Sequence, residues 1–205
     1  MIAVVDYGMG NLRSVSKALE HLGADAQVTH DPKTVRQAHA VILPGVGAFG
    51  AAMRELSRHQ LVEPIIESIR AGKPYLGICL GLQVLFASSE ESPGVAGFGI
   101  LPGTVRRFPA GSGLKIPHIG WNSVTISDTA RSCPLLSGIA NGSFFYFVHS
   151  YFGDPADRRL VSLDTDYGVR FAALLWHDRL FATQFHPEKS QTLGLALLRN
   201  FLRQT

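Results

Sequence analysis

Short, wholly apolar runs alternate with amphipathic helical patterns through the first half of the chain, and this alternation most constrains the fold. IAVV (2–5), AVIL (40–43) and PYLGI (74–78) leave almost no polar position to face water, as expected of strands covered on both faces. Between them lie NLRSVSKALEHLG (11–23), a short helical pattern around Lys33 to Ala38, and helical stretches from Ala48 to Arg70, with DAQVT as a further strand. Strand, helix, strand, helix in this order implies right-handed βαβ crossovers and a parallel sheet with helices on its faces. From about Ser88 the texture changes. VRRF, NSVTI, SFFYFVHSYF, RLVSL, FAALLWH and LFATQF read as strands bounded by turn residues, and QTLGLALLRNFLRQ returns to helical spacing. The expected fold is one α/β domain over 1–205, its central mixed, mostly parallel sheet flanked by helices.

Length and composition exclude several function classes. The 205 residues, 46% hydrophobic and 17% charged, suffice for one domain with a real core. The 19 basic residues are scattered and the net charge is only +3, which argues against nucleic acid. No apolar run approaches a membrane span, and the N-terminus enters a strand without a basic leader, so a cytoplasmic protein is expected. The cysteines, Cys79 and Cys133, are too few for a disulfide scaffold. No CxxC or HxxxH spacing suggests a metal, Gly8-Met9-Gly10 lacks a third glycine for a dinucleotide, and no P-loop lysine motif occurs. No cofactor is expected.

Ligands of open α/β sheets bind beyond the carboxyl ends of the strands. Three segments that follow strands carry chemistry: PGVGAFG after AVIL, CLG after PYLGI, and HPEKS after LFATQF. Gly77-Ile78-Cys79-Leu80-Gly81 has the spacing of a nucleophile elbow with cysteine in place of serine. Such a corner lifts the sulfur out of the sheet. It also aims the Leu80 N–H, and the N-terminus of the helix that LGLQVLF begins, at whatever the sulfur attacks, favouring the thiolate and an oxyanion. A buried, inert cysteine is the alternative, and the paired glycines weigh against it. A thiolate nucleophile needs a base and an orienting group. His186, with Glu188 two residues on and Pro187 between them, offers both. His21, His30, His39, His59 and His177 fall on helix faces or loops, and His118 and His149 flank apolar strand ends as structural groups would. Cys79, His186 and Glu188 therefore form the expected triad. Pro44-Gly45-Val46-Gly47 either presents backbone N–H groups as the second half of an oxyanion hole or is an ordinary tight turn. Cys133, without a histidine or acidic neighbour, reads as incidental.

Taken together, PGVGAFG, YLGICLGLQVLF and QFHPEKS resemble the class I, triad-type glutamine amidotransferases over essentially the whole chain. The resemblance implies L-glutamine as substrate, a γ-glutamyl thioester on Cys79, and an oxyanion hole formed by Val46, Gly47 and Leu80. DYGMGNL, KIPHIGWN and FVHSYF are similar to one branch of the family, in which the glutaminase is a separate chain that delivers ammonia to a (β/α)8 barrel cyclase subunit in histidine biosynthesis. By that resemblance Gly47, Gln83, Glu91, Ser150 and Tyr151 contact glutamine, and Asn11, Trp121, Tyr146 and Lys189 face the barrel partner. Many family members carry glycine where this chain has Val46. A β-branched residue there resists a peptide flip toward positive φ, which implies an isolated chain with little activity. A glutaminase serving another synthase, a cysteine hydrolase of related fold and a non-catalytic binding module are the competing readings. KIPHIGWN and the HPE ending argue against the hydrolase, and the intact Cys-His-Glu set against the binder.

Overall fold

The structure, a computed structural model, describes residues 1–109, 114–128 and 132–205. In the first half β1 (Ile2–Val5), α1 (Leu12–His21), β2 (Ala26–Thr29), α2 (Pro32–Gln37), β3 (Ala40–Gly45), α3 (Phe49–Arg58), α4 (Val62–Arg70) and β4 (Tyr75–Cys79) follow the expected alternation. The Ala48 to Arg70 stretch breaks into α3 and α4 where Gln60 takes a positive φ of 56°. After α5 (Leu80–Gln83) come β5 (Gly103–Arg107), β6 (His118–Ser123), β7 (Thr125–Ile126), β8 (Phe144–His149), β9 (Tyr151–Pro155), β10 (Val161–Asp166), β11 (Arg170–His177), β12 (Leu180–Thr183) and α6 (Gln191–Leu202).

Among the described residues the main sheet has eight strands, ordered β2-β1-β3-β4-β12-β11-β10-β7. The pairings from β2 across to β12 are parallel and those from β12 to β7 antiparallel. Alternate residues of β1 serve opposite faces, as the period of two in a strand requires. Ile2 and Val4 pack with Val15 and Leu19 of α1 and Leu197, Leu198 and Phe201 of α6. Ala3 and Val5 pack with Val35, Leu56 and Ile65 of α2, α3 and α4. The apolar runs without a polar face are thus explained: the sheet is covered on both sides.

The second half departs from the sequence reading in two respects. SFFYFVHSYF does not form one strand; it divides at Ser150 into β8, which pairs with β6, and β9, which pairs with β5, in ribbons apart from the main sheet. LGLQVLF does not begin a long helix, because α5 is a single turn. The next carbonyls are taken by other chain segments: Val84 accepts from the Phe98 N–H and Leu85 from those of Ile100 and Leu101. One turn carries only a fraction of a helix dipole, so the help that the thiolate was expected to draw from a helix terminus is small.

Register aligns the chemistry. Gly45 of β3 pairs with Cys79 of β4, and Thr183 of β12 pairs with Ile78, so three adjacent parallel strands end together. The segments that follow them meet at this edge.

Candidate active site

Cys79 occupies φ 54°, ψ −102°, a strained conformation for a side chain with a Cβ. The corner is held by close packing. A Cβ on Gly81 would land on the Leu43 carbonyl oxygen, and one on Gly77 would land on the Gly81 carbonyl. The Tyr75 hydroxyl donates to the Gly81 carbonyl at 2.9 Å, fixing the turn from below. Burial, with a smaller contribution from nearby Cys79, pushes the Tyr7 phenol well up, so Tyr7 keeps a neutral hydroxyl.

The sulfur opens onto a cleft of about 350 Å³. Val46, Gly47, Leu80, Gln83, Glu91, Ser150, Tyr151 and Lys189 line it together with Cys79. Gly47 has φ 94°, which suits glycine, whereas Val46 is not among the positive-φ residues and is partly exposed at the lip. Glu91 faces the cleft while its Oε2 accepts from the Phe49 N–H at 2.7 Å, so one carboxylate also caps α3.

His186 follows β12 and is buried, with Nδ1 2.8 Å from Glu188 Oε1. Glu188 can only accept, so His186 carries its Nδ1 proton and turns Nε2 toward the nucleophile side. That Nε2 is buried without a hydrogen-bond partner. Burial opposes the imidazolium, but the Cys79 thiolate and then the Glu188 carboxylate outweigh it and raise the His186 pKa to about 10. The arrangement favours a protonated His186 imidazolium beside the sulfur. The Asn11 side-chain amide donates to Glu188 Oε1 at 3.4 Å, so Asn11 touches the buried acid as well as standing near the surface.

Trp121 is exposed and lies edge-on to Tyr146, with ring centroids 6.2 Å apart, and Lys189 Nζ stands 5.8 Å from the Tyr146 ring centre. Ile119 and Phe144, also exposed, extend this apolar face beside the cleft. The remaining histidines divide by exposure as their sequence contexts suggest, although His177 ends strand β11 and does not lie on a helix face or loop. His21, His30, His39 and His177 are exposed and His59 half-buried, whereas His118 and His149 are buried.

Sequence reasoning missed two residues at the site. His149 lines the cleft, and its Nδ1 donates to the Tyr151 carbonyl at 2.8 Å. Its Nε2 then accepts from His118 Nδ1 at 3.1 Å, and His118 Nε2 accepts from the Asn122 amide at 3.3 Å. Gln184 is fully buried, its amide nitrogen 3.6 Å from the Cys79 sulfur. The available signal was an amide inside the fully buried strand end FATQF, two residues before His186.

Residues 3–205 match the family model described as glutamine amidotransferase class-I. The chain belongs to this family of glutamine-hydrolysing enzymes. Among its relatives, a protein of Syntrophotalea carbinolica named imidazole glycerol phosphate synthase subunit HisH is 50% identical over 98% of both chains. A protein of the same name from Methanothermobacter thermautotrophicus is 52% identical, again over 98% of both. Solved structures show the same fold at low identity. A glutamine amidotransferase at 18% identity has a TM-score of 0.76 over 100% of this chain and 98% of that one. PurLQS from Thermotoga maritima, 20% identical, has a TM-score of 0.75 over 98% of this chain and 97% of that one.

Proposed function

We propose that the chain is the glutaminase subunit of imidazole glycerol phosphate synthase, working in the cytoplasm with a separate (β/α)8 barrel cyclase subunit in histidine biosynthesis. The observation that carries the catalytic part is the strained Cys79 elbow, which lines the cleft, beside the buried His186–Glu188 pair. The relatives that share about half of this sequence over its full length support the choice of synthase.

In this reading glutamine enters the cleft with its α-amino and carboxylate groups toward Gln83, Glu91, Ser150 and Tyr151. The Cys79 thiolate attacks the side-chain carboxamide carbon, and backbone N–H groups at Val46–Gly47 and Leu80 hold the oxyanion. His186 gives its Nε2 proton to the leaving nitrogen, the C–N bond breaks, and ammonia leaves behind a γ-glutamyl thioester. The same nitrogen then takes a proton from water as it attacks the thioester, and glutamate and the thiolate are released. Glu188 orients the imidazole and stabilises its charge throughout. Ammonia passes into the barrel partner docked on the Trp121, Tyr146 and Lys189 face, where imidazole glycerol phosphate and an aminoimidazole carboxamide ribotide are formed.

Val46 restrains the reaction in the isolated chain, because turning its peptide to complete the hole forces a β-branched residue toward positive φ. Partner and ligand binding offset that strain. The test compares glutamine hydrolysis by the chain alone, with its barrel partner, and with the partner plus its nucleotide ligand. Turnover should rise at each addition. Equal rates in all three would overturn the restraint, and failure of the two chains to associate would overturn the assignment of synthase.

A further inference from the structure

A run of amides behind the nucleophile has a polarity that only one arrangement satisfies. The Gln83 side chain lies 2.8 Å from the Tyr151 carbonyl, an acceptor, so the atom facing it is the nitrogen. That nitrogen is also 3.2 Å from the Gln184 side chain, which must therefore turn its oxygen toward Gln83. The other end of the Gln184 amide, 3.6 Å from the Cys79 sulfur, is then its N–H donor and not its carbonyl. Gln184 and Gln83 are both buried, so neither orientation is averaged by solvent. The sulfur also lies 4.0 Å from the Val148 carbonyl, an acceptor, which favours a protonated thiol and not a thiolate.

We propose that Gln184 is a positioning residue that donates to the Cys79 sulfur and favours its thiolate, its direction imposed by an amide chain anchored on the Tyr151 carbonyl. The inference deepens the reading of Cys79 as nucleophile and rests on it. The single turn of α5 supplies little dipole, and a side-chain donor at the sulfur takes over that work. The chain also ties the sulfur to the strand that carries Tyr151, so the nucleophile and a glutamine-contact segment share one hydrogen-bonded frame. The titratable groups around the sulfur come from several elements: Tyr7 beyond β1, Glu91 before β5, His149 on β8, Tyr151 on β9, and His186 and Lys189 beyond β12.

The experiment is the pH profile of Cys79 alkylation by iodoacetamide, read by mass analysis with Cys133 as internal comparison, in wild type, Gln184→Met and Gln184→Glu. In both variants the half-maximal pH should rise by about one unit, a roughly tenfold lower rate at pH values below the wild-type midpoint. The wild-type plateau should return at high pH, which a merely structural role would not produce. A folded variant with an unshifted profile, or with a lowered plateau at unchanged midpoint, overturns the inference while leaving the nucleophile reading intact. Absence of Cys79 labelling in wild type overturns both. Should the variants not fold, side-chain amide NMR of the wild type decides. The Gln184 N–H signal should titrate with the alkylation midpoint, and a signal that stays fixed overturns the inference.

Discussion

Cys79, His186 and Glu188 differ in what each can lose. On the proposed mechanism Cys79→Ala removes the bond-forming atom, and its glutamine hydrolysis should be undetectable above background in a steady-state ammonia assay. His186→Ala removes the proton carrier. Glu188→Gln keeps the shape but loses the charge that holds the Nδ1 proton and stabilises the imidazolium, so its kcat should fall by about 10²–10⁴ with little change in KM, a smaller loss than at the other two. Supplying ammonia directly to the barrel partner should bypass all three changes, and loss of that ammonia-dependent reaction would show that these residues serve docking instead. The strained Cys79 corner and the His186–Glu188 contact were legible because Cys79 sits between two small residues on a strand-to-helix corner and His186 and Glu188 share one short rigid turn. Gln184 was not legible, since a lone glutamine in a buried strand end becomes a donor to sulfur only through Gln83 and Tyr151, which are remote in sequence.

The elements of the first half could be read directly because both faces of the sheet are covered and three of its strands, β1, β3 and β4, are continuously buried runs, with only the edge strand β2 carrying exposed residues. Failures came where tertiary contacts, not local pattern, end an element: α5 stops because Phe98, Ile100 and Leu101 claim its following carbonyls, and the aromatic strand divides because β8 and β9 find different partners. Elements also transmit force to the site. Gly194 of α6 lies against the turn that carries Glu188, and a Cβ there would land on the Pro187 carbonyl oxygen. Gly194→Ala should therefore displace that turn and lower glutaminase kcat by about tenfold or more although it lies outside the cleft. A kinetic comparison with Cys79 alkylation checks it, since the elbow on β4 should stay intact. The ribbons β6 and β8 carry the His118–His149 pair, and burial pushes their pKa values down to about 4 and about 3. Both lie below the unfolded value, so the pair's neutral form supports the fold above about pH 6.5, and that support is lost as pH falls from there toward the folded values. Between pH 7 and 4.5 the wild type should lose about 2 kcal/mol or more through these groups. A His118→Phe, His149→Leu variant should show a shallower fall in Tm over the same range, and an identical slope would contradict the account.

At the scale of the whole molecule, one edge of the sheet gathers the cleft, and the apolar face of Ile119, Trp121 and Phe144 lies next to it. Lys189 belongs to both, lining the cleft and standing over Tyr146. This adjacency is what a subunit needs if it must release ammonia into a partner and not into water. Trp121→Ala should weaken association with the barrel subunit by about 1–3 kcal/mol in a titration, while leaving the alkylation of Cys79 in the isolated chain unchanged. The direction of the face was not readable from sequence, because Trp121 and Tyr146 fit a core as readily as a surface until β6 and β8 are seen to form a ribbon outside the main sheet. The account as a whole stands on a covalent glutamyl intermediate at one cysteine. Its most direct test is to incubate the chain, with its barrel partner, with a glutamine-derived chloroketone and to locate the adduct by mass analysis. The account predicts one equivalent on the peptide that contains Cys79, blocked by excess glutamine and accompanied by loss of hydrolysis. Labelling at Cys133 instead, or hydrolysis that persists after Cys79 is fully modified, would contradict it.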